Sequence, residues 1–104
     1  MEIIVDYLNR KVRLTEERKI HIMEYHPELK DQMDLITEVL ADPEKVVESR
    51  SDESIELFYR YYTNAAVGEK YLCIVVKVLE NDYFIVTVYF TDKIKVGNVL
   101  WEKK

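Results

Sequence analysis

From Ser54 to Thr91 the chain keeps a two-residue alternation through three successive runs, and this limits the possible folds more than any other feature. In the first run Ile55, Leu57, Tyr59 and Tyr61 fall on one side, while Glu56, Phe58, Arg60 and Tyr62 fall on the other. A turn is expected from Asn64 to Glu69 around Gly68, and long strands from Tyr71 to Leu79 and Tyr83 to Thr91 are joined through Glu80, Asn81 and Asp82. The economical reading is a three-stranded antiparallel meander. Leu72, Ile74, Val76 and Val78 share one parity, as do Phe84, Val86, Val88 and Phe90, so these sets are expected to meet the helices. The opposite face then displays Tyr71, Cys73, Val75 and Lys77 beside Tyr83, Ile85, Thr87, Tyr89 and Thr91. A buried parity for Ile55, Leu57 and Tyr59 places Arg60 on that open face as well.

Upstream, Ile3 to Tyr7 and Val12 to Leu14 are β-prone and flank Asn9, which tolerates the positive φ of a tight turn, so an N-terminal hairpin or pair of edge strands is expected. Thr15 is a good helix N-cap, Glu16 and Glu17 complement the dipole of the first turn, and Pro27 disfavours helical geometry at His26. The first helix is therefore predicted from about Glu16 to Tyr25. Leu29, Met33, Ile36 and Leu40 trace the apolar stripe of a second helix that ends at Asp42 and Pro43. Val46 and Val47 start a short extended or helical segment, and Glu48 to Glu53 reads as a solvated connection. The tail from Asp92 carries Lys93, Lys95 and Gly97 before Val99, Leu100 and Trp101, where a short final strand fits. The order implies one α+β domain over residues 1–104, with an N-terminal hairpin and two helices packed on one face of an antiparallel sheet.

Composition narrows the function classes. Net charge is −5, from 20 acidic and 15 basic residues, which opposes sequence-independent binding to phosphate backbones. Any nucleic-acid role therefore needs a local basic site. The single Cys73 lies in an apolar run and reads as a small buried hydrophobe in a reducing compartment. The first residues do not form a secretory signal, and no apolar run approaches the roughly 18 residues of a spanning helix, so the expected setting is the cytoplasm, with no membrane partner. His21 and His26 are five residues apart, which separates their side chains by roughly 140° on a helix and rules out a paired helical metal site. Without clustered ligands, neither a metal nor another cofactor is expected.

The candidate chemistry rests on two imidazoles, two cations and several hydroxyls. His26 stands at a helix end exposed by the bend at Pro27, and either histidine has a structural reading as a helix-end or half-buried side chain. Arg60 lies among tyrosines, where it pairs with a carboxylate such as Glu56 or Glu24, stacks on a ring, or grips a phosphate. Lys77 interrupts an apolar run, either as a solvated gatekeeping charge or as a second phosphate contact. Thr87 also fits plain β-propensity, and so does Tyr89. The eight tyrosines exceed the needs of a core this size; on an open face they stack bases or form a protein interface.

RLTEERKIHIMEYHPEL from Arg13 to Leu29, ESRSDESIELFYRYY from Glu48 to Tyr62, KYLCIVVKV from Lys70 to Val78 and YFIVTVYFTDKIKVGNVLW from Tyr83 to Trp101 together resemble small bacterial and cyanobacterial proteins. These are of the phage-associated barnase/EndoU/colicin/RelE-like nuclease group. The resemblance spans nearly the whole chain, and its most specific parts are His26-Pro27-Glu28 and the Phe-Tyr-Arg and Thr-x-Tyr-Phe-Thr strands. It implies a sheet-and-two-helix nuclease fold and a metal-independent, toxin- or phage-effector-like ribonuclease, with an inhibitor or antitoxin protein as a further partner. It also implies catalytic roles for His21, His26, Arg60 and Thr87, with Lys77, Tyr89 and Thr91 binding substrate; Tyr71 joins them as a substrate contact from its open-face parity. Val88 stands where a small residue is typical. In the expected reaction the ribose 2′-hydroxyl attacks the adjacent phosphate; His26 removes its proton, His21 or Tyr89 protonates the leaving oxygen, and Arg60 and Lys77 hold the phosphate. The rival expectations are a non-catalytic RNA- or protein-binding module of the same fold and an inactive structural descendant.

Overall fold

The computed structural model describes residues 1–65 and 68–104; part of the expected Asn64–Glu69 turn, at residues 66–67, lies outside the described residues. Strands β1 (Glu2–Val5) and β2 (Lys11–Leu14) pair antiparallel as a hairpin. Asn9 takes the positive φ of 63° that its short polar side chain tolerates, and the buried Asp6 carboxylate accepts from the Leu8 and Arg10 amides, both at 2.9 Å. Thr15 caps helix α1 (Glu16–Tyr25) by accepting the Arg18 amide at 3.1 Å. His26 leaves helical geometry at φ −135° and ψ 68°, as the following proline requires.

The second helix is shorter than its apolar stripe suggests. Leu29 belongs to a separate 3-10 turn, Pro27–Leu29, and α2 covers only Asp34–Ala41. Leu29, Ile36 and Leu40 are nevertheless all buried, because the stripe records which side faces the core and not whether the backbone stays helical between.

Strands β3 (Lys45–Glu48), β4 (Ile55–Ala65), β5 (Gly68–Val78), β6 (Tyr83–Thr91) and β7 (Asn98–Glu102) complete a seven-stranded sheet of order β1-β2-β6-β5-β4-β3-β7. The antiparallel meander β4-β5-β6 is its centre, and the β2–β6 pairing is parallel, so the sheet is mixed. The fold is α+β. The β2–β6 pairing stops after Arg13 and Phe84, which leaves the later half of β6 without a strand on that side. Helix α1 packs there.

Both sheet faces carry apolar clusters. The helix side buries Ile4, Val12, Leu14, Ile22, Leu29, Ile36, Val39 and Leu40 against Val46, Phe58, Leu72, Ile74, Val76, Ile85 and Val88. The second side buries Val47, Leu57, Tyr59 and Cys73, with Ile55, Tyr71, Val75, Tyr89 and Ile94 packed around them. The expected parity holds along β5 but changes on both neighbours. In β6, Val75 pairs with Thr87 whereas Val76 pairs with Ile85, so Val86 is an extra residue in a bulge. Tyr83 and Ile85 thereby face the helices in place of Phe84 and Val86, while Val88 and Phe90 face them as expected. In β4 it is Phe58 and Tyr62 that meet the helices, with Leu57 and Tyr59 on the second side. The expected open-face position of Arg60 is thus corrected: Arg60 shares the helix side with Phe58 and Tyr62.

Candidate functional site

The displacement of Arg60 divides the predicted site between two faces. Arg60 reaches the end of α2, where its guanidinium donates to the Asp42 carbonyl at 2.7 Å and carboxylate at 3.0 Å and lies 3.1 Å from Glu38. A strand arginine beside a helix C-terminus satisfies orphan carbonyls there; Arg60 does pair with carboxylates, but with Asp42 and Glu38 in place of the expected Glu56 or Glu24. It borders a cleft of about 520 Å³, but Asp31, Asp34 and Glu38 also line that cleft and make it a poor host for a phosphate. Burial and Glu38 together hold the Tyr62 phenol well above its usual titration range, and Tyr62 donates to Glu38 at 2.8 Å.

The second face assembles most of the remaining candidates. Tyr71, Lys77, Thr87, Tyr89 and Thr91 all project there by strand parity, with Tyr71 opposite Thr91 and Cys73 opposite Tyr89 in the register. Lys77 is held by Asp52 at 3.1 Å. Asp52 in turn accepts from the Ser54 hydroxyl at 2.6 Å and amide at 2.9 Å, and these bonds, followed by Lys77, bring its carboxyl down to about 2. Lys77 therefore acts first as the partner of a loop carboxylate.

Cys73 sits at the centre of this face between two phenols. The Tyr59 and Tyr89 hydroxyls both favour its thiolate by hydrogen bonding, yet burial dominates and pushes the thiol up to about 11. Burial also holds both phenols well above their ordinary range. Tyr59 is fully buried, and its hydroxyl accepts the Lys95 amide at 3.1 Å. This bond draws the β6–β7 connection over the second face, where Ile94 joins the apolar cluster. The face is consequently half-covered, not open as its tyrosines suggested.

The histidines separate as well. His21 lies on the solvent side of α1 against Tyr25, with ring centroids 4.5 Å apart. His26, just beyond α1, stands at the edge of β6 with its ring centroid 6.4 Å from that of Tyr89. Its Nδ1 is 3.4 Å from Glu28 Oε1, and Nε2 has no partner among the described residues. A carboxylate beside Nδ1 orients an imidazole and leaves the other nitrogen to act as a base. His26 and Tyr89 are thus neighbours at the edge of the second face, with Thr87 two residues along β6 on that same face.

Two cations of this face received no role from the sequence. Lys93 and Lys95 are exposed in the β6–β7 connection and have no carboxylate partner among the described residues, whereas neighbouring Asp92 is taken by Lys70. The available signal was their alternation with Ile94 immediately after a strand in an acidic chain. Among the described residues, no group of three or more His, Cys, Asp or Glu side chains can hold a metal ion, and no helix is long and apolar enough to cross a membrane. Searches found no family model, curated protein or solved structure that matches this chain.

Proposed function

We propose that the second face contacts single-stranded RNA and that His26 makes it a metal-independent ribonuclease of the barnase/EndoU/colicin/RelE-like kind. The observation that carries this reading is the His26 imidazole, with Glu28 against Nδ1 and Nε2 free, beside Tyr89 at the edge of a face lined with hydroxyls. The resemblance of the His26-Pro27-Glu28 and Thr87-to-Thr91 segments to that nuclease group supports it independently of the geometry.

The chemistry follows from these groups. His26 Nε2 takes the ribose 2′ proton, the 2′ oxygen forms a bond to phosphorus, and the bond from phosphorus to the 5′ oxygen breaks. The leaving oxygen takes its proton from water. Tyr89 positions the imidazole through its ring, and the Thr87 hydroxyl orients a non-bridging oxygen. Arg60 has no part in this reaction and His21 stands apart from it.

The test is cleavage of single-stranded RNA in EDTA by the wild type and by two variants. His26→Ala is expected to lower the rate by at least 10²-fold, the lower range for loss of a positioned general base. Arg60→Ala should retain the wild-type rate per folded molecule. An RNA that stays intact with the wild type removes the nuclease reading, and cleavage lost with Arg60 but kept without His26 reverses the assignment.

A second reading, a non-catalytic RNA-binding module, is favoured by one observation. Arg60 and Lys77, the cations expected to hold the phosphate, are both engaged by carboxylates. This module predicts association with RNA that leaves the strand whole.

A further inference from the structure

We infer that Lys95, with Lys93 beside it, is the phosphate grip of the second face, in the role that Arg60 cannot fill. The assignment rests on the reading of that face as an RNA-contacting surface. It begins from the restraint on the β6–β7 connection. Three contacts fix this short segment: the Lys95 amide donates to the buried Tyr59 hydroxyl, Ile94 packs into the apolar cluster, and Gly97 lies directly against β3. A Cβ at Gly97 would stand 2.3 Å from the Glu48 carbonyl oxygen and 2.6 Å from Val47 Cγ1, so only glycine admits this approach.

Restraint matters because a lysine on a floating loop loses entropy when it binds, and a lysine on an anchored one loses less. The Lys95 amide is held by Tyr59, which packs with Cys73 and Tyr89 in the second cluster, so the exposed Lys95 side chain leaves the connection at the border of that part of the face. Lys93 is two residues away, and its backbone is tied to Thr91 Oγ1 on both sides, by its carbonyl at 3.2 Å and its amide at 3.3 Å. The segment from Lys93 to Lys104 carries four lysines against one glutamate, although the chain as a whole is at −5; Lys103 is engaged by Asp42, which leaves Lys93 and Lys95 as the cations offered from the connection. A strand laid across Tyr71 and Tyr89 meets these ammonium groups with its phosphates while its bases meet the rings. Lysine suits this task as a point charge on a flexible stem.

The test separates binding from cleavage by using a fluorescent single-stranded 2′-O-methyl RNA, which lacks the attacking hydroxyl. Binding is followed by polarisation across a salt series for the wild type, Lys95→Gln, Lys95→Arg and Lys30→Gln, the last in the hollow beside Ile20 and Met23 of α1. Each phosphate contact adds about 0.7 to the steepness of log K against log salt for single strands, so Lys95→Gln should flatten the slope by about 0.7 and weaken binding about fivefold at 0.1 M salt. Lys95→Arg should restore both, and Lys30→Gln should match the wild type. An unchanged slope in Lys95→Gln, an equal loss in Lys30→Gln, or no wild-type binding overturns the inference. Cleavage of ordinary RNA is scored separately: a nuclease with an unchanged Lys95→Gln slope keeps its proposed function and loses this grip, and binding without cleavage does the reverse.

Discussion

Cys73 shows how burial sets reactivity at a single position. The neighbouring phenols stabilise its thiolate, but desolvation outweighs them and leaves the thiol at about 11. At pH 8 on the order of one molecule in a thousand then carries the thiolate. An aromatic disulfide reagent should therefore label the native protein only as fast as it opens, and label fully in guanidinium; complete labelling of the native state within the mixing time would contradict the burial. Asp52 works in the opposite sense. Ser54 and then Lys77 depress its carboxyl to about 2, below an unfolded value near 3.9, so its stabilisation is fully present above about pH 4 and is lost as pH falls through about 2. Asp52→Asn should thus be less stable than wild type at pH 6, with the gap largely closed near pH 2 and gone only below it, as read from urea midpoints. A stability gap that persists undiminished at pH 2 would assign the effect to something other than this charge.

At the scale of elements, Arg60 is part of the end of α2 and not of a phosphate site. Its bonds to Asp42 and Glu38 are partly exposed, so Arg60→Met should cost about 1 kcal/mol, within the range of such pairs and of helix-end contacts, measured as a shift in the urea midpoint. A loss of several kcal/mol would mean that the guanidinium has a deeper role. Local chemistry made much of the architecture legible: Thr15 and Pro27 bound α1 at the residues expected, Asn9 supplies the left-handed turn of the hairpin, and period-two runs mark the meander. Side assignment failed where both parities are apolar. In β4, Phe58 competes with Leu57 and Tyr59, and in β6 four apolar residues from Phe84 to Val88 conceal the slip at Val86. Alternation identifies a strand but cannot choose its inner face when each face has a core, and the side that Arg60 takes is illegible in the sequence for that reason. The second cluster is not legible in the sequence either, because its cover, Ile94, comes from a connection. Gly97 holds that connection against β3, so Gly97→Ala should force the backbones apart at a cost of about 2 kcal/mol, in the range of core overpacking, with loss of amide protection along β7. Protection of β7 equal to wild type would show that the contact is soft.

Across the whole molecule, the N-terminal hairpin is attached to the sheet through few backbone pairs, since β2 meets β6 at only Val12–Tyr83 and Arg13–Phe84. Its apolar residues Ile4, Val12 and Leu14 enter the main core, and the Tyr7 amide donates to the Leu40 carbonyl at the end of α2. Arg10 ties these parts together. Its guanidinium donates to Asp6 at 2.8 Å and to Glu56 of β4 at 2.7 Å, and it lies 5.2 Å from the centre of the Tyr83 ring. One side chain thus joins the hairpin to two strands that lie far from it in sequence. Replacing it leaves Asp6, whose side chain is fully buried, with an uncompensated carboxylate, the situation in which breaking a buried pair costs most. Arg10→Met should therefore destabilise the protein by about 3 kcal/mol and lower Tm by roughly 15 °C for a domain of this size. Asp6→Asn combined with Arg10→Met should recover part of the loss, because the stranded charge goes with its partner. Hydrogen exchange then locates the effect: amides of β1 and β2 should lose protection before those of β4 and β5. If the single variant loses less than about 1 kcal/mol, or if the meander opens first, the hairpin is held by its apolar residues alone and Arg10 is only a surface pair.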